Sequence, residues 1–166
     1  MSTTTLQPDK ALNNKLDLRL ESFFQGQCQA WGMFETRGGR ITNHFKVLTC
    51  GLWNGEQLNL QETVAYSDGS IDKRSWAIVK TSCNTYEGFT EGLRTKAQGT
   101  VVGPHFRWKY KLSWRHKKSQ WITHFDDEMW LQDTNTLINR ATISKYGVRL
   151  GQAWLFFRRN TSESTF

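Results

Sequence analysis

An all-β fold, an antiparallel meander closed into a barrel, is what this sequence predicts, on three observations. Residues 105–115 alternate without a break, Phe106, Trp108, Tyr110, Leu112 and Trp114 on one side, His105, Arg107, Lys109, Lys111, Ser113 and Arg115 on the other. That is the period of a strand with one packed and one wet face. Short apolar stretches separated by glycine-bearing turns recur along the chain, the punctuation of hairpins rather than of βαβ units. Eight tryptophans and only two prolines among 166 residues supply a bulky core for one domain, which at this size removes about 70% of its unfolded surface from water.

Taken in order, residues 1–15 are polar and read as a leader ending in a short helical turn, residues 16–159 as the barrel and 160–166 as a tail. Strands are expected over 28–36 and 41–50, joined by Gly38-Gly39, two glycines that suit a type I′ hairpin. Asn54-Gly55 leads into a strand over 57–66, and Asp68-Gly69 into one over 71–81. After the strand over 105–115, a polar turn at 117–119 precedes a strand over 121–131, and a turn at 133–135 precedes 137–146. That last segment reads two ways. Ile138, Thr142 and Ile143 favour a strand, whereas Leu137, Ala141 and Lys145 recur at helical spacing, with Gly147 placed as a C-cap. A final strand covers 150–158. Closing about eight to ten such strands removes exposed edges and leaves room for side chains or one small ligand. A lipocalin-like barrel is therefore the leading architecture, with a two-sheet sandwich as the rival.

The composition excludes several classes. The longest apolar run spans 153–157, far short of the ~20 residues a membrane helix needs. With no signal peptide, lipobox cysteine or spanning segment in the sequence, a cytoplasmic location is expected. Cys28, Cys50 and Cys83 are widely spaced, without metal-ligand spacing, and are expected to be free thiols in a reducing compartment. No metal and no cofactor are expected. His44, His105, His116 and His124 fall on polar faces or in turns. A net charge of +7 attracts phosphate, but no recognition motif accompanies it, so nucleic acid is not an expected partner. Weak contact between the basic face of residues 107–115 and an anionic membrane surface is.

Charges on inward faces carry more information. Glu62 interrupts the apolar side of Leu58, Leu60, Val64 and Tyr66, and Asp127 that of Thr123, Phe125, Met129 and Leu131. Asp72, Arg74, Trp76 and Ile78 share a further face. An inward carboxylate must find a cation or carry a proton, because an unpaired buried ion costs several kcal/mol. Arg74 and Arg140 are the candidate partners. An even register across the Asp68-Gly69 loop sets Glu62 opposite Trp76 and diagonal to Arg74, whereas a strict two-residue loop sets it opposite Ser75. Such a group can be a register-fixing network or a general acid or base with a raised pKa.

Several segments in order, Phe23-Phe24-Gln25-Gly26, Ala30-Trp31-Gly32, Glu62 with Tyr66 and Asp68-Gly69, Arg74 with Trp76, Phe125-Asp126-Asp127, Met129 with Leu131, Leu137-Ile138-Asn139-Arg140 and Lys145-Tyr146-Gly147, resemble domain-of-unknown-function family 3833, over residues 16–158. Its bacterial members are often predicted lipoproteins. This chain departs from them in lacking the lipid-bearing cysteine, so their envelope location does not carry over. The resemblance implies lipid chemistry by association.

The function expected from the sequence is binding of a hydrophobic small molecule or acyl chain in a barrel cavity. Asp127 and Glu62 are the candidate catalytic groups, and Arg74, Arg140, Trp76, Trp108, Tyr110, Tyr66, Trp130 and Met129 the candidate ligand contacts. A small cofactor-independent cyclase or isomerase is the alternative, and a structural protein docked on an anionic membrane the second.

Overall fold

The computed structural model describes residues 16–116 and 119–160, with side chains at 114–116 and 119 left undescribed. The expected leader over 1–15, all but Asn160 of the expected tail over 160–166, most of the turn at 117–119 and the side chain of Trp114, expected inward, lie outside the described residues. A four-residue helix, α1 (Leu20–Phe23), precedes ten strands: β1 (Gly26–Thr36), β2 (Ile41–Trp53), β3 (Gln57–Tyr66), β4 (Ile71–Lys80), β5 (Thr85–Thr90), β6 (Leu93–Val102), β7 (His105–His116), β8 (Ser119–Asp133), β9 (Thr136–Lys145) and β10 (Val148–Arg159). Each strand pairs antiparallel with its neighbours in sequence, and β1 pairs with β10 to close the barrel.

The ambiguous segment over 137–146 is a strand. Lys145 pairs with Val148 across Tyr146-Gly147, both at positive φ, so the glycine serves a two-residue hairpin rather than a helix cap. The expected type I′ turn at Gly38-Gly39 is corrected. Thr36 and Arg40 pair around a three-residue loop in which only Gly39 has positive φ, the pattern of a type I turn followed by a left-handed residue. The Asp68-Gly69 loop is built the same way, with Tyr66 hydrogen-bonded to the Ser70 carbonyl. Its three residues make the register even, but one step tighter than expected: Glu62 pairs directly with Arg74, and Leu60 takes the place opposite Trp76.

Strands β5 and β6 had no strong signature, because small residues break up their inward faces, Gly88 after Tyr86 in β5 and Ala97 and Gly99 before Val101 in β6. A Cβ on Gly88 would meet the Trp108 ring at 2.5 Å, and one on Gly99 the Phe106 ring at 2.5 Å. The bulk that β7 sends inward needs those vacancies, so neighbouring strands alternate large and small.

One end of the barrel is plugged. Leu20, Phe23 and Phe24 of the α1 segment are buried against the ends of β2, β3 and β10, with Phe24 edge-on to Phe157 at 5.4 Å. Glu21 latches the plug, accepting from the Lys80 ammonium at 2.5 Å and the Tyr86 hydroxyl at 2.6 Å. Burial raises its pKa, but these donors outweigh that and leave the carboxylate below its ordinary value. Replacing Tyr86 by Phe removes one hydrogen bond to a charged group and is expected to lower stability by about 1.5 kcal/mol in urea unfolding. An unchanged unfolding midpoint would show that the Tyr86 hydrogen bond contributes nothing to holding the plug.

Candidate functional site

The alternation of the closed sheet sends side chains of β1, β3, β4 and β7 to β10 into a cavity of about 700 Å³, plugged at one end by Leu20 and Phe24. Towards the other end it is bordered by Phe34, Tyr66, Asp72, Trp121, Ile143 and Leu150. Most of the lining is apolar. Glu62, Arg74 and Asp127 stand among it, as do Trp76, Trp108, Tyr110, Tyr66 and Met129.

Asp127 is 6% exposed. Strand β7 supplies its partners: Trp108 lies directly opposite in the ladder and Tyr110 two residues on, so both inward side chains reach the same carboxylate. The Trp108 indole donates to Oδ2 at 3.1 Å and the Tyr110 hydroxyl donates at 3.0 Å. Oδ1 is buried without a partner among the described residues. Burial pushes the carboxyl up to about 6 against the two hydrogen bonds that favour its charge. The same burial, with the Asp127 charge beside it, holds the Tyr110 phenol well above its ordinary value, so it remains a donor.

Glu62 is carried to about 7 by desolvation, with the Arg74 charge opposing and the Asp127 charge adding. The surface it keeps faces the cavity rather than bulk water. At the mouth, the Tyr66 hydroxyl donates to Asp72 at 3.2 Å, and burial followed by the Asp72 charge pushes that phenol up to about 12. Packed rings frame these groups, Trp76 against Trp108 at 5.0 Å and Tyr110 stacked on Phe125 at 5.0 Å.

Two expected site residues are elsewhere. On β9 the inward positions are Leu137, Asn139, Ala141 and Ile143, so Arg140 projects outward, and Trp130 shares the outer face of β8 with Asp126 and Glu128. There Arg140 is ion-paired with Glu128 and lies over the rings of Trp130 and Trp154, at 5.4 and 5.7 Å. His105 stacks on Trp130 at 5.4 Å and meets Glu128 at 3.2 Å. Arg140 is therefore no partner for Asp127. The basic residues Arg107, Lys109 and Lys111 of β7 lie on its outer face as alternation placed them, where Arg107 forms a bidentate pair with Asp126 and Lys109 lies 3.6 Å from the same carboxylate, so β8 neutralises part of the stripe.

Phe34, Trp121, Asn139, Ala141, Ala153 and Leu155 also line the cavity. Period-two alternation on β9 and β10 would have found several of them. The three cysteines are free, Cys28 buried and Cys50 and Cys83 exposed. Among the described residues no cluster of His, Cys, Asp and Glu can hold a metal ion, and no helix is long and apolar enough to cross a membrane.

The barrel is similar to two solved structures. An S-type phycobiliprotein lyase, CPES from Guillardia theta, superposes with a TM-score of 0.64 at 10% identity, covering 88% of this chain and 95% of that one. A DUF3598-family protein of unknown function from Nostoc punctiforme superposes with a TM-score of 0.58 at 10% identity, covering 87% of this chain and 50% of that one. At such identity the likeness shows a shared fold, the lipocalin-like barrel. No curated protein matches. The family model described as "Protein of unknown function (DUF3833)" matches residues 1–159, and the chain belongs to that family.

Proposed function

We propose that this DUF3833 member binds a hydrophobic small molecule, of lipid or comparable amphipathic character, inside its barrel. The observation that carries the reading is the cavity of about 700 Å³, plugged at one end and apolar apart from Glu62, Arg74 and Asp127. Ligand sites have this size and composition: apolar walls supply affinity, and a few polar groups fix orientation. The likeness to a barrel named as a phycobiliprotein lyase supports a small-molecule guest.

Native mass spectrometry of the purified protein tests this, with an adduct retained under gentle conditions as the expected result. Titration with free fatty acids and polycyclic amphiphiles is the companion measurement. It is expected to shift tryptophan emission, because Trp76, Trp108 and Trp121 line the cavity. An empty spectrum together with unchanged emission would overturn the reading.

A second reading rests on the two cavity carboxyls. With Asp127 raised to about 6 and Glu62 to about 7, both fall where a side chain can give or take a proton near neutrality. A cofactor-independent isomerase or cyclase would use that pair on the bound molecule.

A further inference from the structure

The open end of the barrel differs from the plugged end in what it shows to solvent. The hairpins β9–β10, β1–β2 and β3–β4 are consecutive around the rim, because β10, β1, β2 and β3 are neighbours in the closed sheet. Backbone hydrogen bonds join them: Arg37 donates to the Leu150 carbonyl at 3.0 Å and Ser67 to the His44 carbonyl at 3.0 Å. Each hairpin raises apolar side chains into water. Tyr146 is 89% exposed, Ile71 62% and Val148 49%, with Ile41 and Leu150 beside them. Tyr146 also occupies a left-handed backbone position, φ 50°, which favours glycine or asparagine. Its ring lies 5.1 Å from the Lys145 ammonium and is otherwise turned to solvent.

The same crescent is basic. Arg37, Arg40, Lys73 and Arg149 are exposed and form no ion pair among the described residues. Lys145 lies 3.2 Å over the Trp121 ring at the cavity mouth. Against these stand Glu35, whose carboxylate accepts from the Trp154 indole, Asp68, tied to Ser70 in its own loop, and Asp72, facing Tyr66. Cations thus prevail where apolar tips and the cavity mouth coincide, whereas on the outer face of β7 Arg107 and Lys109 are met by Asp126.

We infer that this rim docks on an anionic lipid bilayer, Tyr146, Val148 and Ile71 entering the interface while the four free cations meet lipid phosphates. Aromatic and apolar tips flanked by Lys and Arg are what an interfacial contact requires, since the tips gain by leaving water and the cations by approaching the negative surface. Docked so, the cavity opens towards the membrane, and an amphipathic guest passes between bilayer and barrel without crossing bulk water. The inference rests on the small-molecule reading only for that last step.

Flotation of the full chain with vesicles tests it. Binding is expected to equimolar phosphatidylglycerol and phosphatidylcholine but not to phosphatidylcholine alone, and to weaken with salt. Arg37→Gln and Arg149→Gln should each weaken it about fivefold, the effect of one basic residue near an anionic surface. Tyr146→Asn, which suits the left-handed turn, should weaken it with the fold intact. Lys109→Gln with Lys111→Gln on the outer face of β7 should leave it unchanged. No flotation with anionic vesicles at low salt, or loss in the β7 variants but not the rim variants, overturns the docking. Rim-dependent self-association without vesicle binding overturns it in favour of a second copy of this chain. The emission titration with free amphiphile uses no vesicles, so failure of the cavity reading and failure of the docking are told apart.

Discussion

Raising the pH from about 4 to about 8 is expected to cost the wild-type fold stability that an Asp127→Asn variant keeps. In the unfolded chain this carboxyl ionises near 3.8, whereas in the barrel it does so at about 6. Between those values the folded protein binds more protons than the unfolded one, so stability is fully present below about 4 and falls as the pH rises through about 6. The displacement from 3.8 to about 6 corresponds to about 3 kcal/mol. Glu62, moved from 4.5 to about 7, acts in the same sense and is present in both proteins. Asparagine occupies the same space, accepts from Trp108 and Tyr110 through its carbonyl oxygen, and does not titrate. Denaturant unfolding of both proteins across this range should show the stability difference shifting by about 3 kcal/mol towards the variant. Parallel curves would mean that Asp127 ionises as an ordinary carboxylate in the fold. On the acid–base reading, the same variant retains ligand and loses turnover by about 10² to 10⁴. A variant that keeps both ligand and rate leaves Asp127 a purely structural group.

Filling the cavity should abolish binding without unfolding the barrel. Ala153 points inward from β10, opposite Ala141 of β9 and Phe34 of β1, and with Ala141 it makes a wall of small side chains. In Ala153→Trp an indole takes volume that the guest would occupy. Losing the burial of a side-chain-sized apolar group costs the ligand about 3 kcal/mol, or about 100-fold in affinity. Trp130→Ala removes a ring from the outer face, where it stacks on His105 and Arg140, and should leave affinity unchanged. Emission titration and calorimetry on both variants check this. Equal affinity in Ala153→Trp and wild type would place the ligand outside the barrel, and a loss confined to Trp130→Ala would move the site to the outer surface.

The sequence by itself determined the fold class and the composition of the cavity wall wherever alternation was unbroken. Strands β3 and β7 have bounds close to those read from period two, and Glu62, Arg74, Trp76, Trp108, Tyr110 and Asp127 point inward because a side-chain period of two leaves no other face. Strands β5 and β6 escaped because small residues, Gly88, Ala97 and Gly99, break up their inward faces, and the bulk of Trp108 and Phe106 on another strand requires the two glycines. Only the tertiary structure decided partners. Asp127 finds Trp108 and Tyr110 across the β7–β8 ladder rather than Arg140, and Arg140 finds Glu128, Trp130 and Trp154 outside. Parity names the face a residue takes, but its partner depends on the stagger of the neighbouring strand, which turn length sets. The rim had no local signal at all, since Ile41, Ile71 and Tyr146 lie far apart in sequence and become one surface only when β1 pairs with β10 and brings their hairpins side by side.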